Sequence, residues 1–403
     1  MVSLLGVAAL LFCAYLLSFN RKAINWRTVI GALIIQASIG LLVLYFPPGK
    51  QFLLFVAEGV QAVITYSKDG IQFMFGDIVG GSLGFIFAFQ VLPVIIFFSA
   101  LISVLYHIGI MAWIIKAIGG VLQKLLQTSR PESMNAAANI FVGQTEAPLV
   151  VKPFIASMTK SELFALMVGG MASIAGSVMA GYAGLGVDIK YLVAASFMAA
   201  PGGLLMAKIV LPETEQARNN LEELNSKDVE TNANVFEAAA EGAASGLIIA
   251  ANVGAMLMAF VGLIALFNGL LGNVGELFGY PELSFQLILG YVFQPLAWVL
   301  GVPWAEANLA GSFIGQKLVV NEFVAYLDFV KYKDEMSDIS QAVVTFALCG
   351  FANFSSIAIL MGGIGAMAPS RRSDIAKLGL RAVIAASFAN LMSAALAGFF
   401  ISL

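Results

Sequence analysis

Two carboxylates stand in stretches that are otherwise apolar or merely polar, Glu146 and Glu322. The first is surrounded by Asn139, Gly143, Gln144, Thr145, Pro148 and Lys152, the second by Asn308, Gly311, Gly315, Gln316, Lys317 and Asn321. Amide, hydroxyl and carboxylate groups in this density suit a cavity that binds a polar, uncharged solute. The competing reading is structural: Lys152 and Lys317 pair with the two glutamates. A third polar cluster, Asn353, Ser355 and Ser356, punctuates Phe351-Ala352-Asn353-Phe354-Ser355-Ser356. It fits the same cavity or plain hydrogen bonding between packed helices.

The other reactive residue types lead nowhere. His107 closes an apolar stretch with no cysteine or second histidine to share a metal, and reads as a helix-end residue. Cys13 and Cys349 lie inside apolar runs without disulfide or metal-ligand spacing. Gly80-Gly81-Ser82-Leu83-Gly84 matches the nucleophile-elbow pattern in letters, but nothing supplies the strand that must precede the serine. Zincin, P-loop and dinucleotide fingerprints do not occur. Gly311-Ser312-Phe313-Ile314-Gly315 and Gly275-Glu276-Leu277-Phe278-Gly279 are small-residue packing motifs. The chain is therefore read as a non-enzyme.

The elements that position these groups are set by composition. Of 403 residues 60% are apolar and 11% charged, and mean hydropathy is +0.91. Lipid is the solvent for most of such a chain, and helices of about 20 apolar residues are the natural way to satisfy the backbone there. Candidate spans fall near 2–19, 28–46, 84–106, 162–183, 190–211, 245–272, 340–362 and 379–402, about eight crossings. The fold class is thus an all-α polytopic membrane protein. The net charge of -3 carries no basic run for nucleic acid.

The first apolar run is a retained span and not a signal peptide, because Arg21, Lys22 and Arg27 follow it. That basic loop and the second one, Arg371, Arg372, Lys377 and Arg381, both belong in the cytoplasm by the positive-inside rule, so both termini lie outside. Residues 47–84 suit helices lying on the membrane surface. The water-loving stretch 213–241 reads as a cytoplasmic, helical connection.

Two apolar but interrupted regions, 135–158 and 294–329, read as chain that enters the membrane, unwinds and turns back. Gly143-Gln144 and Gly315-Gln316 precede Glu146 and Glu322, and each region is followed by Ser-Ile, at Ser173-Ile174 and Ser356-Ile357. Paired interrupted segments in two halves point to a transporter's binding site. The span count gives the two halves opposite orientation.

At these residues a resemblance appears. Gly143-Gln144-Thr145-Glu146-Ala147-Pro148-Leu149, Asn321-Glu322-Phe323-Val324-Ala325-Tyr326 and Gly350-Phe351-Ala352-Asn353-Phe354-Ser355-Ser356-Ile357 resemble the concentrative nucleoside transporter family, as does Val91-Leu92-Pro93-Val94-Ile95-Ile96-Phe97-Phe98-Ser99-Ala100-Leu101. The likeness runs from about Leu83 onward. It implies two re-entrant helical hairpins in inverted repeats, a homotrimer, and a transport domain that moves as an elevator against a scaffold. Gln144, Thr145 and Glu146 would then face the nucleobase, with Val178 and Phe351 as apolar walls. Glu322, Asn353 and Ser356 would hold the ribose hydroxyls. A sodium ion would lie among Asn139, Val142, Ser173 and Ile174.

On that resemblance residues 1–110 are scaffold spans and surface helices, 111–212 the first half of the transport domain, 213–280 the cytoplasmic connection with a scaffold span, and 281–403 the second half. The function implied is import of nucleosides such as uridine or adenosine by sodium symport across a bacterial inner membrane. The alternatives are proton coupling or, from another class, a channel for small polar solutes; a hydrolase built on Ser82 and His107 ranks below both.

Overall fold

The computed structural model describes residues 2–79, 84–215 and 233–403, and among these it is all helical. Ser82 and residues 216–232 lie outside the described residues, so the elbow-like motif and most of the hydrophilic connection are not placed. The chain begins with α1 (Val2–Leu16), α2 (Trp26–Gly40), α3 (Pro47–Phe75), α4 (Phe87–Gln90), α5 (Leu92–His107) and α6 (Ile110–Leu126). Then come α7 (Arg130–Ala138), α8 (Lys152–Ile155), α9 (Lys160–Ala172), α10 (Gly176–Gly184), α11 (Ile189–Val210) and α12 (Val235–Leu277). The second half is α13 (Phe285–Val299), α14 (Trp304–Val319), α15 (Glu322–Tyr332), α16 (Asp338–Leu348), α17 (Ser355–Met367) and α18 (Arg372–Ile401).

Among the described residues six helical segments are long and apolar enough to cross a membrane: Trp26–Tyr45, Phe87–His107, Lys160–Gly184, Ile189–Val210, Val235–Leu277 and Pro369–Ile401. The expected first span is a shorter helix, Val2–Leu16, and the expected span 340–362 is two short helices, α16 and α17. α12, at 43 residues, extends roughly 65 Å and so overshoots the hydrocarbon layer. Much of its surface is apolar and exposed, Leu263, Leu266 and Leu270 among it. Most of the expected surface segment is one long helix, α3 (Pro47–Phe75), whose apolar residues Leu53, Ala57, Ile64 and Ile71 face inward along one side.

A four-helix centre of α9, α11, α16 and α18 is almost wholly buried. α1 and α2 pack on α18 and α11, while α12 packs along α5, which in turn packs on α10. In sequence the two halves run in parallel: amphipathic α6 or α13, a helical hairpin, a broken helix, and a long buried helix. The first hairpin consists of α7, a tip at 139–146 and the return through α8. The second is α14, a short tip at Val320 and Asn321, and α15.

The hairpins are inserted from opposite ends of the molecule. Near the C-terminal end of α11, Lys208 pairs with Glu132 of the first hairpin, and Arg371 donates to Met158. Just before the N-terminus of α11, Gly186 accepts from Lys333 at the end of the second hairpin, 2.7 Å away. The 22 residues of α11 separate these ends by about 33 Å. The two basic loops share the first end, where the Arg381 guanidinium lies 3.8 Å from the centre of the Phe19 ring.

Boundaries read from sequence need correction. The first hairpin starts at Arg130 and not near 135, because Ser129 and Glu132 form a capping box, and Thr159 with Glu162 forms another that starts α9. Residues 294–299 belong to α13. Gly315 and Gln316 lie inside the α14 arm, a turn before the tip, whereas Gly143 and Gln144 are in the tip itself, so these pairs are not equivalent positions. Ser173 lies within its helix break and Ser356 follows its own, inside α17, so the Ser-Ile match is a coincidence of register.

Candidate functional site

A helix broken inside an apolar core strands backbone N–H and C=O groups, and each must find a partner. α9 ends as Ser173 turns extended (φ -110°, ψ 173°), and α10 begins only after Ala175. The second break separates α16 from α17 between Cys349 and Phe354. The two breaks stitch each other: the Phe351 N–H donates to Ser173 O at 3.2 Å, and the Gly176 N–H donates to Phe141 O of the first hairpin tip at 2.9 Å. Asn390, on α18, completes the seam by donating to Ala172 O at 2.6 Å and Cys349 O at 2.9 Å. Two helix breaks and one tip therefore meet at one point.

Most of the expected residues gather there. Gln144 donates to the Ser356 hydroxyl at 3.3 Å, its own carbonyl oxygen being buried without a partner. The Glu146 carboxylate folds back to accept from the Gly143 N–H at 2.9 Å, fixing the tip. Phe351 is half-buried beside Gly143, and Thr145 packs on Gly363 of α17. Glu322 is 5% exposed and accepts from the Tyr182 hydroxyl at 2.9 Å and from Asn353 Nδ2 at 3.1 Å. Asn353 is held in place because its Oδ1 accepts from Ser355 Oγ at 2.7 Å and from the Ser356 N–H at 3.0 Å.

Tyr182 was not read from the sequence. Its signal was spacing: it follows Val178 by one turn of α10, so both side chains share a face. The structural ion-pair reading fails, since among the described residues neither Glu146 nor Glu322 has a cationic partner within salt-bridge distance. Lys152 is exposed, and Lys317 donates to Ala347 O and Asn390 Oδ1, each at 2.7 Å. The Glu322 carboxylate, with the Tyr182 hydroxyl and Asn353 Nδ2 as its side-chain donors, keeps acceptor capacity for a hydroxyl donor.

The four residues expected around a cation also meet. Asn139 ends α7 with its amide beside Gly169, in the last turn of α9. Val142 neighbours Phe141, and Ile174 stands two residues before Gly176, so the Gly176 to Phe141 bond brings them together. Asn139 is 1% exposed, yet neither its Oδ1 nor its Nδ2 has a partner. Among the described residues no donor reaches the carbonyl of Val142 or of Ile174. The Asn139 amide oxygen and the Val142 and Ile174 carbonyls lack donors, and the Ser173 hydroxyl, which donates to Gly170 O at 3.3 Å, keeps its lone pairs; hard oxygens of this kind are what a small cation takes. His107 ends α5 exposed, and no cluster of histidine, cysteine and acidic residues that could hold a metal occurs among the described residues.

Comparison with known proteins agrees with this architecture. The family models for the Na+ dependent nucleoside transporter N-terminus and C-terminus match residues 5–78 and 191–398, and a "Gate: Nucleoside recognition" model matches 88–188. The chain is 61% identical to an uncharacterized transporter of Haemophilus influenzae, over 100% of this chain and 98% of that one. It is 49% identical to the nucleoside permease NupC of Helicobacter pylori, with the same coverage. Among solved structures it is similar to a doubly substituted CNTnw in an outward-facing state (TM-score 0.97) and to CNTnw in an inward-facing, substrate-bound state (TM-score 0.95). Each is 56% identical and covers 100% of this chain and 98% of that chain. The chain belongs to the concentrative nucleoside transporter family.

Proposed function

We propose that this protein imports nucleosides by sodium symport, with Glu322, Asn353 and Ser356 receiving the ribose and Gln144, Thr145 and Glu146 the base, between Val178 and Phe351. The observation that carries the reading is Glu322: a buried carboxylate held by Tyr182 and Asn353, with no cation within salt-bridge distance among the described residues and acceptor capacity left over. A carboxylate accepts from vicinal hydroxyls, and an amide with one partnerless oxygen, as at Gln144, matches the edge of a base. An analogue lacking a hydroxyl would leave Glu322 short of a partner, which is how such a site discriminates.

Sodium is assigned to Asn139, Val142, Ser173 and Ile174, whose free oxygens support it. Because Val142 is in the tip that carries Gln144, cation and nucleoside order the same loop, and each then raises the other's affinity. The two hairpins, inserted from opposite ends, are read as re-entrant, and the body they belong to as an elevator that carries the site across the membrane within a homotrimer. The shared end of the basic loops supports both termini lying outside, and the likeness to bacterial relatives supports a bacterial inner membrane.

The test is uptake of labelled uridine and adenosine into proteoliposomes under an inward sodium gradient, against a proton gradient at equal potential. Sodium-driven accumulation is expected, with Asn139→Ala and Ser173→Ala raising the sodium concentration for half-maximal uptake about 10-fold or more, as loss of one ligand in a site of few should. Proton-driven uptake would keep the nucleoside and discard the sodium site. Non-saturating flux under either gradient would replace the symporter with a channel.

A further inference from the structure

The sodium reading leaves the second half of the molecule without a cation, and the packing there supplies one. The first hairpin's leading arm ends at Asn139, against the last turn of α9. The second hairpin's leading arm ends at Val319, and two residues earlier Lys317 reaches the last turn of α16, where Nζ donates to Ala347 O. Lys317 is 2% exposed and its other partner is Asn390 Oδ1. An ammonium buried this deeply is costly unless its donors are met and opposite charge is near. The C-terminus of α16 provides the negative end of a helix dipole.

The two breaks thus have matching surroundings and opposite solutions. At the α9 break the oxygens of Asn139, Val142 and Ile174 are partnerless. At the α16 break Ala347 O and Asn390 Oδ1 are occupied by Lys317. Asn390 also spans both, since its Nδ2 holds Ala172 O and Cys349 O.

We infer that Lys317 is a tethered second cation, which fills at the α16 break the place that the α9 break keeps for a free sodium ion. On this inference, which rests on the sodium-coupled reading above, one sodium ion accompanies each nucleoside because the equivalent position is permanently taken. It also gives Lys317 a role in coupling and not in ion pairing with Glu322.

Lys317→Gln puts an amide oxygen where the ammonium was and so recreates the chemistry of Asn139. Sodium activation of uridine uptake and charge carried per uridine are measured in proteoliposomes, wild type beside variant. The Hill coefficient for sodium is expected to rise from about 1 toward about 2, the number of sites setting its limit, and the charge per uridine to double. In the purified variant, thermal stability should gain a steeper dependence on sodium chloride than on choline chloride. Wild-type uptake indifferent to sodium would sink the sodium reading itself. Sodium-stimulated wild type with an unchanged slope and charge ratio in Lys317→Gln would overturn the tethered cation, and so would a variant that fails to fold in saturating sodium or folds and binds uridine but never transports it.

Discussion

Glu322→Gln separates orientation from acceptance at the ribose end of the site. Asn353 cannot turn its amide, because its Oδ1 already accepts from Ser355 and Ser356. The new glutamine must therefore present its oxygen to Asn353 Nδ2 and its NH2 to Tyr182, whose hydroxyl rotates to accept it. No donor faces a donor, so the variant folds. What is lost is the negative charge and the acceptor capacity it offered to substrate hydroxyls. A hydrogen bond to a charged group is worth about 1.5–3 kcal/mol, so uridine affinity should fall about 10- to 100-fold. The decisive comparison is with deoxyribose analogues: discrimination against 2′- or 3′-deoxyuridine, measured by competition in the same vesicles, should shrink by most of that factor in the variant. Equal losses for uridine and for both deoxy analogues would show that Glu322 does not contact the ribose, and the site assignment would fall with it.

Two further outcomes test the packing. Gly170→Ala would place a methyl 2.9 Å from Gln144 Cβ, forcing α9 off the hairpin tip; overpacking of about 1–3 kcal/mol should appear as lost uptake at an unchanged amount of protein in the membrane, and wild-type transport would contradict the close approach. Lys208 forms a buried pair with Glu132 and a 2.9 Å bond to Ser161. Lys208→Met leaves Glu132 unpaired at a cost of about 3–5 kcal/mol, read as a lower Tm in detergent, and adding Glu132→Gln should recover most of it. Additive losses in the double variant would contradict a direct pair.

How much of this was legible follows from what each signal depends on. Apolar runs announce membrane helices wherever the helix is continuous, as at Ile189–Val210, because hydropathy is a sum over neighbours in sequence. It fails where helices break: 340–362 reads as one span, yet α16 and α17 are separated where Cys349 O accepts from Asn390 of α18 and the Phe351 N–H donates to Ser173 O at the end of α9. α7, buried from Pro131 to Ala138, escaped for the same reason. Its residues Glu132, Ser133 and Asn135 look like surface, and only a buried Lys208 across the fold makes them interior. Capping boxes at Ser129 and Thr159 were readable and would have corrected the boundary.

Residue type alone indicated polar chemistry at Glu146 and Glu322, since carboxylates in apolar sequence are costly wherever they lie. It left open what stands beside them. Lys317, five residues before Glu322, looked like its partner, but the tip turns the chain and α14 carries the ammonium to α16 and α18. Tyr182, 140 residues away in sequence, took that place. Composition and the positions of charge determined that the chain is helical and membrane-bound and which end its basic loops share. Only the tertiary structure decided which oxygens are left free at the seam, because a hydrogen bond's partner is set by three-dimensional reach and not by order along the chain.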